Sequence, residues 1–180
     1  MRKVLTLLLI FCFWLGYSCS IQAQHISQGN EFEALMQKIR QDFAQNPDIT
    51  QGLEKYNVQD GSFTDVDYAS IQRTNWPPLV HINRISDFVF AYTNPENRYY
   101  QDEDLYNKIE KGLEYWHERN PWCHNWWYNQ IAEPQALGVL LIQMRTGKKQ
   151  LPHELENKLL ERIKKDGGNP AKWTGAKRID

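Results

Sequence analysis

Between Trp122 and Tyr128 the chain sets three tryptophans and a tyrosine among His124, Asn125, Asn129 and Gln130, in the stretch NPWCHNWWYNQIAEPQALGVLL (120–141). Tryptophan offers a flat face that packs on the C–H face of a sugar ring, and an N–H donor at its edge. Neighbouring amides both donate to and accept from hydroxyl or carboxylate groups. Trp126, Trp127, Asn125 and Asn129 together therefore suit a carbohydrate cleft. The competing reading is packing, with all three tryptophans inside a helix bundle, and Trp116 and Trp122 fit that role. Trp126 and Trp127 fit it less easily, because neighbours on a helix point about 100° apart.

Other chemistry finds little support. His117 and His124 lie close to Cys123 in sequence but form no metal-ligand constellation, so neither a metal nor a cofactor is expected. His81 falls on the apolar stripe of a helix and reads as a satisfied core or rim residue. There is no phosphate loop and no nucleophile elbow. Ten basic residues between Arg145 and Arg178 face five acidic ones between Glu154 and Asp180. Such an end either attracts a polyanion or is a solvated helix face. No nucleic-acid partner is expected.

The elements that must position these groups read as helices. Phe32, Leu35, Met36, Ile39 and Phe43 share one face of a helix over 31–45. The segment 46–68 holds Asn-Pro and Asp-Gly turn signals and reads mainly as loop. Pro77 and Pro78 suit the start of a helix carrying Leu79, Ile82, Ile85, Phe88 and Val89. Acidic residues at 102–104 suit a helix N-terminus, followed by the stripe Leu105, Ile109, Leu113 and Trp116. Pro134 is placed to begin a helix ending near Gly147. Pro152 and Gly167 bracket a last one carrying Leu155, Leu159 and Ile163. No run alternates long enough for a strand. The fold class is all-α: five helices as an array of hairpins.

The first residues, MRKVLTLLLIFCFWLGYSCSIQAQ, read as a secretory signal. Arg2 and Lys3 precede an apolar centre, and Ala23 suits cleavage before Gln24. The apolar run falls short of the ~20 residues that span a bilayer. A secreted or periplasmic location is expected, with lipidation at Cys19 as a weaker variant. Removing residues 1–23 leaves 19 basic against 22 acidic residues, a net charge of −3, and Cys123 as the remaining cysteine. No intramolecular disulfide is then available.

The block HNWWYNQIAEPQALGVLLIQMRTGKK (124–149) resembles the N-terminal α-helical domain of family 8 polysaccharide lyases, the chondroitin AC, hyaluronate and xanthan lyases. The resemblance extends back through TNWPPLVHINRI and RYYQDEDLYNKIEKGLEYW and forward to TGAKRID. It implies part of an incomplete (α/α) toroid over residues 24–180. It also implies β-elimination on uronic-acid polysaccharides such as chondroitin sulfate or hyaluronan. In that reaction the uronate carboxylate is neutralised, a base removes the C5 proton and an acid protonates the leaving O4.

The family's Asn-Trp-Trp transfers to Asn125, Trp126 and Trp127 as substrate-binding residues, with Asn129 and Gln130 beside them. Two positions depart from the pattern. Gln130 replaces a glutamate, and Lys177 in WTGAK replaces the family's asparagine. Lysine there is a point charge without the amide's fixed geometry. The family's His, Tyr, Arg and Glu do not appear before Asp180. The expectation is a truncated lyase segment, inactive alone and open to complementation by the missing C-terminal part. The alternative is a non-catalytic glycosaminoglycan-binding module that uses the Trp126/Trp127 platform.

Overall fold

The computed structural model describes residues 31–167, apart from the side chain at position 166. The proposed signal segment, Cys19 and Lys177 lie outside the described residues. Helix α1 spans 31–42 and forms a unit of its own. It is shorter than the expected 31–45, and Phe32 and Leu35 of its apolar face are exposed.

The second unit holds the remaining helices: α2 (Thr50–Lys55), α3 (Leu79–Thr93), α4 (Glu103–Arg119), α5 (Glu133–Met144) and α6 (His153–Gly167). Helix α3 packs against α4 and α5, and α6 packs against α5 and α4. No strand occurs among the described residues; a single bridge joins Tyr56 to Phe63.

The ends follow the sequence. Pro78 caps α3. The Asp102 carboxylate accepts from the Leu105 N–H at 2.7 Å at the head of α4, whose tail ends on Asn120 in the left-handed region (φ 47°). A side-chain acceptor at this position satisfies one of the orphan amides of the first turn.

Two departures matter. The segment read as loop contains α2, and its Tyr56, Gly61 and Phe63 are buried. The Tyr56 hydroxyl donates to the Lys108 carbonyl at 2.9 Å. Gly61 has φ +84°, and a Cβ there would strike the Lys111 carbonyl, so this Asp-Gly turn is moulded onto α4. Turn chemistry was readable; the docking of the turn onto a helix was not.

The second departure is the start of α5. Helical backbone begins at Trp126, passes through a π turn at Tyr128–Ala132 and only then enters α5. Pro134 thus sits inside a helix rather than beginning it. Proline has no N–H to give the carbonyl four residues back, and its ring crowds that carbonyl. A widened turn just upstream accommodates this, with the Glu133 N–H bonded to the Tyr128 carbonyl.

The core is strongly aromatic. Trp76, Phe63, Phe88, Tyr92, Tyr106 and Trp116 are all buried, together with Ile82, Ile85, Ile109 and Leu113. Trp76 lies edge-on to Trp116, with centroids 6.3 Å apart, and tilted against Tyr128 at 5.7 Å.

Candidate functional site

The segment between α4 and the Trp126–Met144 helix carries the aromatic residues singled out by sequence. Asn125 is its hinge. Its side-chain oxygen accepts from the Trp127 N–H at 3.1 Å, capping the new helix, and its amide nitrogen donates to the Arg73 carbonyl at 2.9 Å. An amide has two N–H groups and two lone pairs, so each contact leaves capacity on the same atom.

Trp126 and Trp127, the first two helical residues, are 49% and 42% exposed. Half-exposure of two adjacent large rings follows from the helical twist: one face cannot bury both. Trp127 meets Tyr128 edge to face at 5.2 Å, and Tyr128 in turn packs on Trp76. Trp127 is therefore backed by the core through Tyr128.

The structure corrects two expectations here. Trp122, read as a core residue, is 59% exposed and packs edge-on against His124 at 5.1 Å. It lies in irregular chain, where no helical stripe turns it inward. Asn129, read as facing a ligand, is buried with both ends of its amide bound to Cys123. It accepts from the Cys123 N–H at 2.9 Å and donates to the Cys123 carbonyl at 2.6 Å. It closes the 123–129 loop on itself. Gln130 is half-buried in the π turn.

Cys123 is buried, and its thiol donates to the Gln72 carbonyl at 3.3 Å. No group of three His, Cys, Asp or Glu among the described residues could hold a metal ion.

A groove of about 380 Å³ runs between α3 and α5 and has Trp127 on its wall. Asn83, Ser86, Asp87 and Gln135 give it polar groups, and Phe43, Leu79, Phe90 and Val139 an apolar floor. Asp87 is its ionisable group, and burial holds that carboxyl above its usual range. Sequence reasoning missed Asn83 and Gln135. The available signal was spacing: Leu79, Asn83, Ser86, Asp87 and Phe90 share one helical face, as do Ala132, Gln135, Ala136 and Val139.

His81 behaves as a core residue. It is fully buried and stacks against Tyr115 and Trp116, with centroids at 5.7 and 5.4 Å. Its ring nitrogens meet the Tyr68 hydroxyl (2.8 Å) and the Gly112 carbonyl (2.9 Å).

The sequence pattern described as polysaccharide lyase family 8, N terminal alpha-helical domain, matches residues 21–180. The chain belongs to that family. It is 44% identical over 121 residues to the chondroitinase-AC of Pedobacter heparinus, an alignment covering 67% of this chain and 17% of that protein. Its structure is also similar to a chondroitinase AC lyase solved in enzyme–oligosaccharide complexes. That match has a TM-score of 0.77 and 37% identity, and covers 82% of this chain and 22% of the other. The helical hairpins are thus part of an (α/α) toroid. The chain spans less than a quarter of the length of either relative.

Proposed function

We propose that this domain forms one wall of a polysaccharide-binding cleft, with Trp126 and Trp127 as stacking faces for sugar rings. The observation that carries the reading is the exposed Trp126–Trp127 pair at a helix start capped by Asn125, with Trp127 backed by Tyr128 and Trp76. Asn125 retains hydrogen-bonding capacity toward a sugar hydroxyl or carboxylate. The groove beside Trp127 extends the wall with neutral amides at Asn83 and Gln135.

The substrate class is an acidic polysaccharide of the chondroitin or hyaluronan type, supported by the relatives, both of them chondroitinases AC by name. In this reading the described residues contribute binding, through Asn125, Trp126 and Trp127, while His81 is buried and bonded to Tyr68. β-Elimination at the uronate then draws its base and acid from the remainder of a lyase, supplied in trans if need be. Export through the segment 1–23 belongs to the same reading, and N-terminal sequencing of the secreted protein tests it.

Titration with chondroitin and hyaluronan oligosaccharides, followed by intrinsic tryptophan fluorescence, tests the binding. Saturable change with the acidic sugars, shielding part of the emission from a quencher, is the expected result. No change at millimolar sugar would remove the reading. Asp87 is the groove's ionisable group and none of its described lining residues is cationic, so binding of an acidic sugar there should not weaken as salt rises, unlike attraction to a cationic patch.

A further inference from the structure

A buried polar cluster sits beneath the segment that carries the tryptophans. Arg162 of α6 is 8% exposed and lies over the Trp116 ring, its guanidinium carbon 5.3 Å from the centroid. Its Nε donates to Glu133 Oε1, which also accepts from Trp116 Nε1 at 2.9 Å. Its two terminal nitrogens donate to Asn120 Oδ1 at 2.7 Å and to the Pro121 carbonyl at 2.8 Å.

Tying α5 to α6 would need only the Glu133 contact. The other two donors point instead at the place where the chain leaves α4. From Asn120 it runs without regular structure to Asn125, the cap on which Trp126 and Trp127 are mounted. Glu133 lies on the same continuous helix as the two tryptophans. One guanidinium therefore fixes both ends of this stretch, the exit from α4 and the helix it enters. A planar fork with donors in divergent directions can do this; a lysine ammonium, a single point charge, cannot.

We propose that Arg162, with Glu133 and Asn120, is a positioning residue that sets the Trp126–Trp127 ledge for polysaccharide. This rests on the stacking role given above. Two variants of the full chain test it. Arg162→Lys keeps a cation for Glu133 but loses the divergent fork. Asn120→Gly removes one acceptor while tolerating the positive φ.

Fluorine NMR of fluorotryptophan-labelled protein reports the ledge without any sugar, and thermal melting reports the fold. In both variants the Trp122, Trp126 and Trp127 resonances should shift or broaden while that of Trp76 holds. Affinity for a chondroitin hexasaccharide should fall about tenfold. Asn120→Gly, altered at an exposed side chain, should keep its melting temperature within a few degrees. Unchanged ledge resonances in folded variants would overturn the proposal, as would equal perturbation of Trp76 together with a lowered melt. If the ledge resonances move but native protein binds no sugar, the positioning survives and the stacking reading fails.

Discussion

Acid should loosen the core at His81. The ring is neutral in its native setting: Nε2–H donates to the Gly112 carbonyl, and Nδ1 accepts the proton of Tyr68, whose oxygen accepts from the Phe63 N–H at 2.9 Å. Burial pushes the pKa from 6.5 down to about 4. The Gly112 bond and Asp60 act upward, and Arg84 downward. The unfolded ring titrates near its ordinary value, so between about pH 6.5 and 4 the unfolded chain holds the extra proton. His81 stability is therefore complete above pH 6.5 and is lost as pH falls to about 4. A gap of about 2.5 units corresponds to about 3 kcal/mol.

Other groups act elsewhere or in the opposite sense. Asp65 and Asp60 are held below the usual carboxylate range, Asp65 by Arg84 and Asp60 by its Ser62 hydrogen bonds against some burial. Their contribution is present above about pH 4 and lost below it. Asp87 is raised by burial, so its contribution is present in acid and lost as pH rises. Urea midpoints between about pH 4 and 7 should therefore slope upward in native protein. They should slope much less in His81→Phe, which keeps the ring packing and loses the titration. A His81 ring that titrates near 6.5 by NMR, or equal slopes in both proteins, would show that burial of this ring does not set the acid limb.

Gly112 lets α3 approach α4, and a Cβ there would meet Ile85 Cδ1 in the core. Gly112→Ala should cost about 1–3 kcal/mol by urea unfolding. Asn129→Leu leaves both Cys123 backbone groups without their amide, and about 2–4 kcal/mol should be lost. Trp116→Ala should cost about 3–5 kcal/mol, since the ring is fully buried, whereas Trp126→Ala should cost far less. Incubating the chain with chondroitin sulfate should give no rise in ultraviolet absorbance from unsaturated uronates, because the motif residues Asn125, Trp126 and Trp127 can bind a sugar but cannot take up or deliver its proton. A steady rise from clean protein would require another base.

The helices were legible because each carries its own periodic stripe and stop signals. Leu105, Ile109, Leu113 and Trp116 in α4, with Asp102 ahead and Asn120 behind, needed no tertiary information. What escaped depended on distant partners. Tyr56 and Phe63 are buried because a polar-looking turn docks onto α4, which no local pattern records. The helical start at Trp126 was hidden by Pro134, whose usual meaning is a beginning; the π turn reverses that meaning.

At the site, the motif NWWYN identified the right stretch but not the orientation of each side chain. Trp122 turns outward and Asn129 inward, since irregular chain has no period from which to read a face. Asn125 combines two tasks in one amide, capping the helix and tying the segment to Arg73. Arg162 lies 36 positions after Trp126 and drew no notice, because only the folded bundle brings it beneath Pro121.

On the proposed reading Trp127 is a binding surface and not part of the core. The most direct measurement is the affinity of Trp127→Ala for a chondroitin hexasaccharide by calorimetry, paired with its melting temperature. At 42% exposure the ring contributes modestly to the fold. The variant should therefore melt within a few degrees of native protein while affinity falls at least about tenfold. A folded variant that binds as tightly as native protein would contradict the account, as would one that unfolds.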